Sequence, residues 1–286
     1  MKLELDSGNN IFYDQWLDGE TDLLILNGGP GLSYEIFESF KEHLRGENIR
    51  ITVYDPLGYH HSDKPEGFDY SIDYYAEEVE EVRKKLNLHN TVIVGHSFGG
   101  AVAMNYLLKY QQKVAAALFV NPYISTEKYG QNADILLDKL PDDVRSEIQD
   151  LVAQDNFGED MMTILISEWY PRFFCRLNPW PDALNRSFAH ASYGILQQFV
   201  GSGYLNIDGD LRGYDITPKL SSITIPSLAI TGEHDIIFEE DVKLVSDQMQ
   251  NCDYTVIQGA SHTPMWENPD TFFKSIRDFI SKLDIR

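Results

Sequence analysis

The stretch Val92-Ile93-Val94-Gly95-His96-Ser97-Phe98-Gly99-Gly100-Ala101-Val102-Ala103-Met104 decides the fold. The run Thr91–Val94 is β-branched throughout and reads as a strand. It breaks at Gly95, and a helical pattern begins near Phe98. Between them stands Gly95-x-Ser97-x-Gly99, a nucleophile elbow, in which a serine sits on a sharp strand-to-helix turn. Gly95 and Gly99 lack Cβ atoms, which lets strand and helix approach closely there. The helix N-terminus beneath Ser97 favours developing negative charge.

Outward from the elbow, short apolar strands alternate with helices. Residues 3–16 read as a β-hairpin turning at Ser7-Gly8-Asn9-Asn10. Leu23-Leu24-Ile25-Leu26 is a fully apolar strand running into Asn27-Gly28-Gly29-Pro30-Gly31, whose glycines leave backbone N–H groups open. A helix over 34–45 follows, then the strand Ile51–Tyr54 and the loop 55–63. Residues 71–86 form an amphipathic helix, and Ala115–Val120 a buried strand closed by Asn121-Pro122.

The alternation stops between about Ser125 and Arg212. Helical pieces over 133–139, 142–153, 159–174 and 182–199 occur there with aromatic, proline-broken segments such as Trp169-Tyr170-Pro171. Strands at 227–231 and 254–257, with helices at 239–249 and 270–283, then resume the pattern. The expected fold class is α/β: a mostly parallel sheet with helices on both faces. The expected organisation is a core of 1–124 and 213–286 carrying an inserted helical cap, 125–212.

A serine hydroxyl needs a base, and the base needs an orienting carboxylate. The expected chain order is Ser, acid, His. Thr231-Gly232-Glu233-His234-Asp235 and Gln258-Gly259-Ala260-Ser261-His262 both follow strands, at the carboxyl ends where ligand sites of such sheets form. Ser97 is the expected nucleophile, His262 the base and Asp235 the acid. Glu233 is the alternative acid, with Asp235 then a helix cap. The expected oxyanion donors are the backbone N–H groups of Gly29 and Phe98. His96 reads as a packing residue. His60 and His61 read as site-lining or solvent residues, since adjacent histidines project differently and no third ligand is close in sequence. No metal, nucleotide or flavin motif is present, so no cofactor is expected.

The net charge of −22, from 45 acidic and 23 basic residues, argues against nucleic-acid and anionic-membrane partners. No apolar run approaches the ~18 residues that span a bilayer. The segment Met1–Asp6 has no secretory apolar stretch, and Cys175 and Cys252 form no disulfide framework, so a cytoplasmic location is expected.

With these residues placed, the sequence resembles the proline iminopeptidase family, whose members have the α/β-hydrolase fold. Asn27–Gly31 is similar to its His-Gly-Gly-Pro-Gly loop. The strand-end loop Tyr54–Gly58, the elbow, the Gly-x-x-Asp of 232–235, Ser261-His262 with Met265-Trp266-Glu267, and Cys175–Pro181 also fit. The resemblance implies a serine hydrolase that cleaves N-terminal residues from short peptides or amino-acid amides through an acyl-enzyme. The chain departs from the family at Asn27, which replaces a histidine, and at His60, where a small residue is common. Family carboxylates that bind the substrate's free amine align near Gly194, Tyr204 and Ile236, with Asp208 or Asp210 as substitutes. The alternative is therefore an esterase, lactonase or amidase on small substrates with no amine requirement. A non-catalytic binding module on this fold is disfavoured by the intact Ser97, Asp235 and His262 set.

Overall fold

The computed structural model describes residues 1–154, 156–203, 205 and 207–283. Its eight strands are β1 (Lys2–Glu4), β2 (Asn10–Trp16), β3 (Thr21–Leu26), β4 (Ile49–Asp55), β5 (Thr91–His96), β6 (Ala116–Val120), β7 (Ser227–Gly232) and β8 (Cys252–Ile257). They form one sheet in the order β1-β2-β4-β3-β5-β6-β7-β8. The β1/β2 and β2/β4 pairs are antiparallel, and every pair from β4 to β8 is parallel.

Side chains alternate across a strand, so an apolar strand buried on both faces feeds two cores. Leu24, Leu26 and Ile93 join one core, while Leu23, Ile25, Val92 and Val94 join the other. The second core is closed by α1 (Glu38–His43) and the C-terminal helix, α12 (Pro269–Ile280), which buries Phe272, Phe273, Ile276 and Phe279. Asn268 caps that helix by accepting from the Thr271 N–H, and Pro269 occupies its first turn. The first core is closed by α2 (Ile72–Lys85), α3 (Phe98–Tyr110) and α10 (Glu239–Gln248).

Between β6 and β7 lie α4 (Thr126–Leu137), α5 (Asp142–Ala153), α6 (Glu159–Ile164), α7 (Tyr170–Phe173), α8 (Asp182–Ala189) and α9 (Tyr193–Val200). The chain leaves and re-enters the sheet region side by side. The Thr126 N–H donates to the Tyr214 carbonyl (2.9 Å), and the Ile216 N–H to the Ile124 carbonyl (3.0 Å).

Four expected helices take a different form. The helix expected over 34–45 opens with a 3-10 turn, Tyr34–Phe37, and is α-helical only over Glu38–His43. The piece expected to begin at 133 begins at Thr126, behind Ser125, which accepts from the Lys128 N–H. The single helix expected over 159–174 is α6 and α7 joined by a π-helical turn, Leu165–Trp169. Pro171 lacks an N–H and crowds the preceding turn, so a regular ladder cannot run through it. The helix expected over 182–199 divides into α8 and α9. The Ser192 N–H at the division donates instead to the Gly31 carbonyl, 2.9 Å away on the glycine loop. A short helix, α11 (Pro264–Glu267), follows His262 and was not expected from the pattern.

Candidate active site

The sheet order sets the site. Reading across β3, β5, β6, β7 and β8, the carboxyl ends are followed by Gly29, Ser97, Asn121, Asp235 and His262 in turn. Five neighbouring strands thus contribute one functional group each.

Ser97 has φ 54° and ψ −120°, a positive φ rare for a residue with a Cβ. Close packing holds it there. A Cβ on Gly99 would lie 2.2 Å from the Leu26 carbonyl oxygen, and one on Gly95 2.5 Å from that of Gly99. Glycine is therefore required at both positions. The Ser97 N–H donates to the Val120 carbonyl (2.9 Å), which fixes the turn to β6.

His262 Nδ1 lies 2.8 Å from Asp235 Oδ1. Both residues are buried, Asp235 to 1% exposure and His262 to 7%. With an acidic oxygen facing Nδ1, that nitrogen carries the proton and Nε2 is left as the basic lone pair. The other Asp235 oxygen, Oδ2, accepts from Asn121 Nδ2 and from Thr231 Oγ1 (3.4 Å). Asn121 Nδ2 also donates to the Ser261 carbonyl (3.3 Å). Asn121 is fully buried and has a positive φ of 49°, a conformation asparagine tolerates better than most residues. In the sequence it stands only as the end of a strand. Its one local signal is an Asn-Pro pair closing the strand beside the elbow, and Asp235 lies too far along the chain to reveal the contact.

Glu233 does not reach His262. Its carboxylate is exposed and accepts from the Gly259 N–H (2.8 Å). The other glutamate nearby, Glu267, gathers the His262 loop: it accepts from the N–H groups of Ser261 (2.9 Å) and Thr263 (3.2 Å) and from both hydroxyls. Its Oε1 also accepts from the Arg176 N–H (2.9 Å) in the helical insertion.

His96 is buried, and its Nε2 lies 2.9 Å from the His262 carbonyl oxygen. Burial first, and then the neighbouring His262, lower its pKa to about 3, so the ring is neutral and donates through Nε2. It packs edge-on against Phe37 at 5.8 Å. This is a packing residue that also steadies the backbone of His262. Asn27 donates to the Leu32 carbonyl (3.2 Å) and to Asp55 Oδ1 (3.1 Å), tying the glycine loop to the end of β4.

Gly29, Ser97, Phe98 and His262 line one cavity. Phe98 opens α3, so its N–H has no acceptor within the helix. The far wall comes from the insertion and is aromatic: Trp169, Tyr170, Phe173, Phe174 and Phe188. Phe174 also contacts the His262 ring, at 5.3 Å between centroids. Among the described residues lining this cavity there is no aspartate, glutamate, lysine or arginine. Ile236 lines it instead. A Cβ at Gly194 would meet no atom within 4 Å, so that position faces open space. Asp208 is bound by the Ser202 N–H and hydroxyl, which hold its carboxyl below the usual range, and Asp210 accepts from Gln198 Nε2 (2.9 Å). Tyr204 lies outside the described residues. His60 and His61 do not line the cavity either.

Residues 22–269 match the family model of the alpha/beta hydrolase fold. The proline iminopeptidase of Flavobacterium johnsoniae is 34% identical over 267 residues, spanning 92% of this chain and 90% of that protein. The crystal structure of VinJ superposes with a TM-score of 0.91 at 22% identity, over 99% of this chain and 98% of that one. The proline iminopeptidase of Mycobacterium smegmatis superposes with a TM-score of 0.88 at 20% identity, again over 99% and 98%. Those two structures share the fold, and the sequence relationship extends through almost the whole chain. This chain belongs to the proline iminopeptidase family of α/β-hydrolases.

Proposed function

We propose that this hydrolase is a serine enzyme that releases the N-terminal residue of short peptides or amino-acid amides through an acyl-enzyme on Ser97. The observation that carries the reading is the 2.8 Å pairing of buried Asp235 with His262, which lines the same cavity as Ser97. Ser97 Oγ attacks the carbonyl carbon while His262 Nε2 takes its proton and then returns it to the leaving amine. Asp235 keeps the proton of the imidazole on Nδ1 and stabilises the imidazolium. The N–H groups of Phe98 and Gly29 hold the oxyanion, each contributing about 3 kcal/mol to the transition state. Water then attacks the acyl-enzyme, with His262 again as base.

One observation favours a second reading at the same site. Among the described residues, the cavity offers a substrate aromatic and aliphatic walls and no carboxylate to pair with an ammonium group. Esters, lactones or amides of small apolar acids, without a free amine, suit such walls. The segment 125–212 is the cap that supplies them. The two free thiols, Cys175 and Cys252, suit a reducing cytoplasm. A substrate panel tests the assignment by pairing proline and other amino-acid arylamides with short acyl esters. Turnover of the arylamides above the esters supports the aminopeptidase reading, turnover of the esters alone supports the second, and turnover of neither removes both.

A further inference from the structure

Away from the catalytic cavity, three histidines converge where the insertion meets the core. His60 and His61 lie on the loop after β4, and His190 closes the C-terminal end of α8. One ring nitrogen from each falls within 4.8 Å of the other two. Two buried carboxylates stand behind them. Asp55 Oδ2 lies 2.6 Å from His61 Nδ1, and Glu35 Oε1 lies 2.7 Å from His190 Nδ1. Asp55 is fully buried and Glu35 is 4% exposed.

Each carboxylate places the proton of its histidine on Nδ1, which leaves Nε2 as the lone pair; that of His61 lies 3.9 Å from Glu35 Oε1, the oxygen that also meets His190. A carboxylate behind a histidine is the arrangement that orients metal-ligating imidazoles and raises their basicity. Neutral imidazole suits zinc, copper and nickel. We propose that His60, His61 and His190 form a site for one divalent transition-metal ion, zinc foremost, which clamps the helical insertion to the core.

Zinc–nitrogen bonds of about 2.0–2.1 Å set three nitrogens roughly 3.3 Å apart around a tetrahedral ion. The His60 ring now stacks on His190 at 4.2 Å with a 15° interplanar angle, and parallel rings cannot both hold one ion in plane. His60 is the exposed member, so it is the one that turns on binding. His61 and His190 are already fixed by their carboxylates. Three imidazoles leave a fourth position for water. Two residues beyond His190, the Ser192 N–H donates to the Gly31 carbonyl, so the clamp would fasten the insertion beside the glycine loop.

The test is a calorimetric titration of the full-length, chelator-stripped protein with zinc alone, repeated with cobalt for the visible bands of a tetrahedral site. One zinc per chain is expected, with a rise in Tm on binding. His60→Ala should weaken zinc at least 100-fold. It removes an exposed ring whose ring contacts, among the described residues, are to His61 and His190 alone, so the fold should be kept and the zinc-free Tm should change little. His190→Ala should weaken zinc similarly, and His89→Ala, which removes an exposed histidine elsewhere, should leave binding intact. Absence of saturable binding below about 100 µM zinc would overturn the site, and so would undiminished binding in the His60→Ala, His190→Ala double variant.

Discussion

The strand ends and the helical insertion build the same cavity by opposite means. At the strand ends the groups are polar, and the acid and its neighbours are held by several hydrogen bonds. Asp235 alone is fixed by His262, Asn121 and Thr231. In the insertion the walls are rings that hold one another, as where Phe174 meets Phe188 at 5.2 Å and Tyr170 meets Phe188 at 5.9 Å. Directional hydrogen bonds fix a reacting atom in place, whereas ring contacts shape a volume and tolerate exchange of one ring for another. On the proposed function, chemistry is set by the sheet and selection by the insertion. Substitutions at the strand ends should then lower kcat, while those in the walls should change which substrate is accepted.

The largest test of this division is Ser97→Ala. Its loss should cost more than about 10⁴-fold in kcat, because the residual rate of such sites rests on the oxyanion hole and binding alone. Thermal unfolding should be unchanged. A variant that keeps more than a few per cent of the activity, with contamination excluded, would separate the elbow from the chemistry.

Next is Asp235→Asn. An amide in place of the carboxylate lets the wrong tautomer of His262 form, at a cost on the order of 10⁴-fold in kcat. Glu233→Gln should be near wild type, since that carboxylate is exposed and bonded to the Gly259 N–H. Reversal of these two results in steady-state kinetics would move the acid to Glu233.

A smaller effect is expected at Asn121. Glycine keeps the positive φ open while removing the carboxamide that donates to Asp235. Losing one hydrogen bond to a charged group is worth about 1.5–3 kcal/mol, or roughly 10- to 100-fold. If Asn121 positions the acid, kcat should fall with KM unchanged. A loss of Tm with full kcat would instead mark Asn121 as structural.

Legibility in the sequence divides along the same line. The buried strands were readable because β-branched and aliphatic runs of four to six residues between turn signals have few other solutions. Ser97 and Asp235 were readable because each follows such a strand, and His262 because it follows the shorter run Tyr254–Ile257 on the sheet edge. Asn121 was not, since a residue that supports another shows no pattern of its own. Within the insertion, periodicity gave the helical content but not the π-helical turn at Leu165–Trp169 or the break before Ser192. The first is local, imposed by Pro171 on the turn before it, while the second is a tertiary effect, drawn by the Gly31 carbonyl. The His60, His61 and His190 cluster was hidden for the same reason, because its third member comes from α8.

The smallest expected effect concerns the walls. Amine-binding members of the family hold a charged α-amino group with carboxylates, and here the corresponding places are Gly194 facing open space and Ile236 lining the cavity. Asp208 and Asp210 are already bound to Ser202 and Gln198. An ammonium group entering an aromatic cavity loses hydration and, among the described lining residues, finds no opposite charge to offset it. A free amine should therefore add little to transition-state binding. The measurement is kcat/KM for a free and an N-acetylated amino-acid ester with the same leaving group. The ratio should stay within about 100-fold, equivalent to roughly 2.7 kcal/mol. A larger preference for the free amine would mean that the insertion brings a carboxylate to the substrate on binding. Asp208→Asn and Asp210→Asn would then show which one, by removing the preference while leaving turnover of the acetylated ester unchanged.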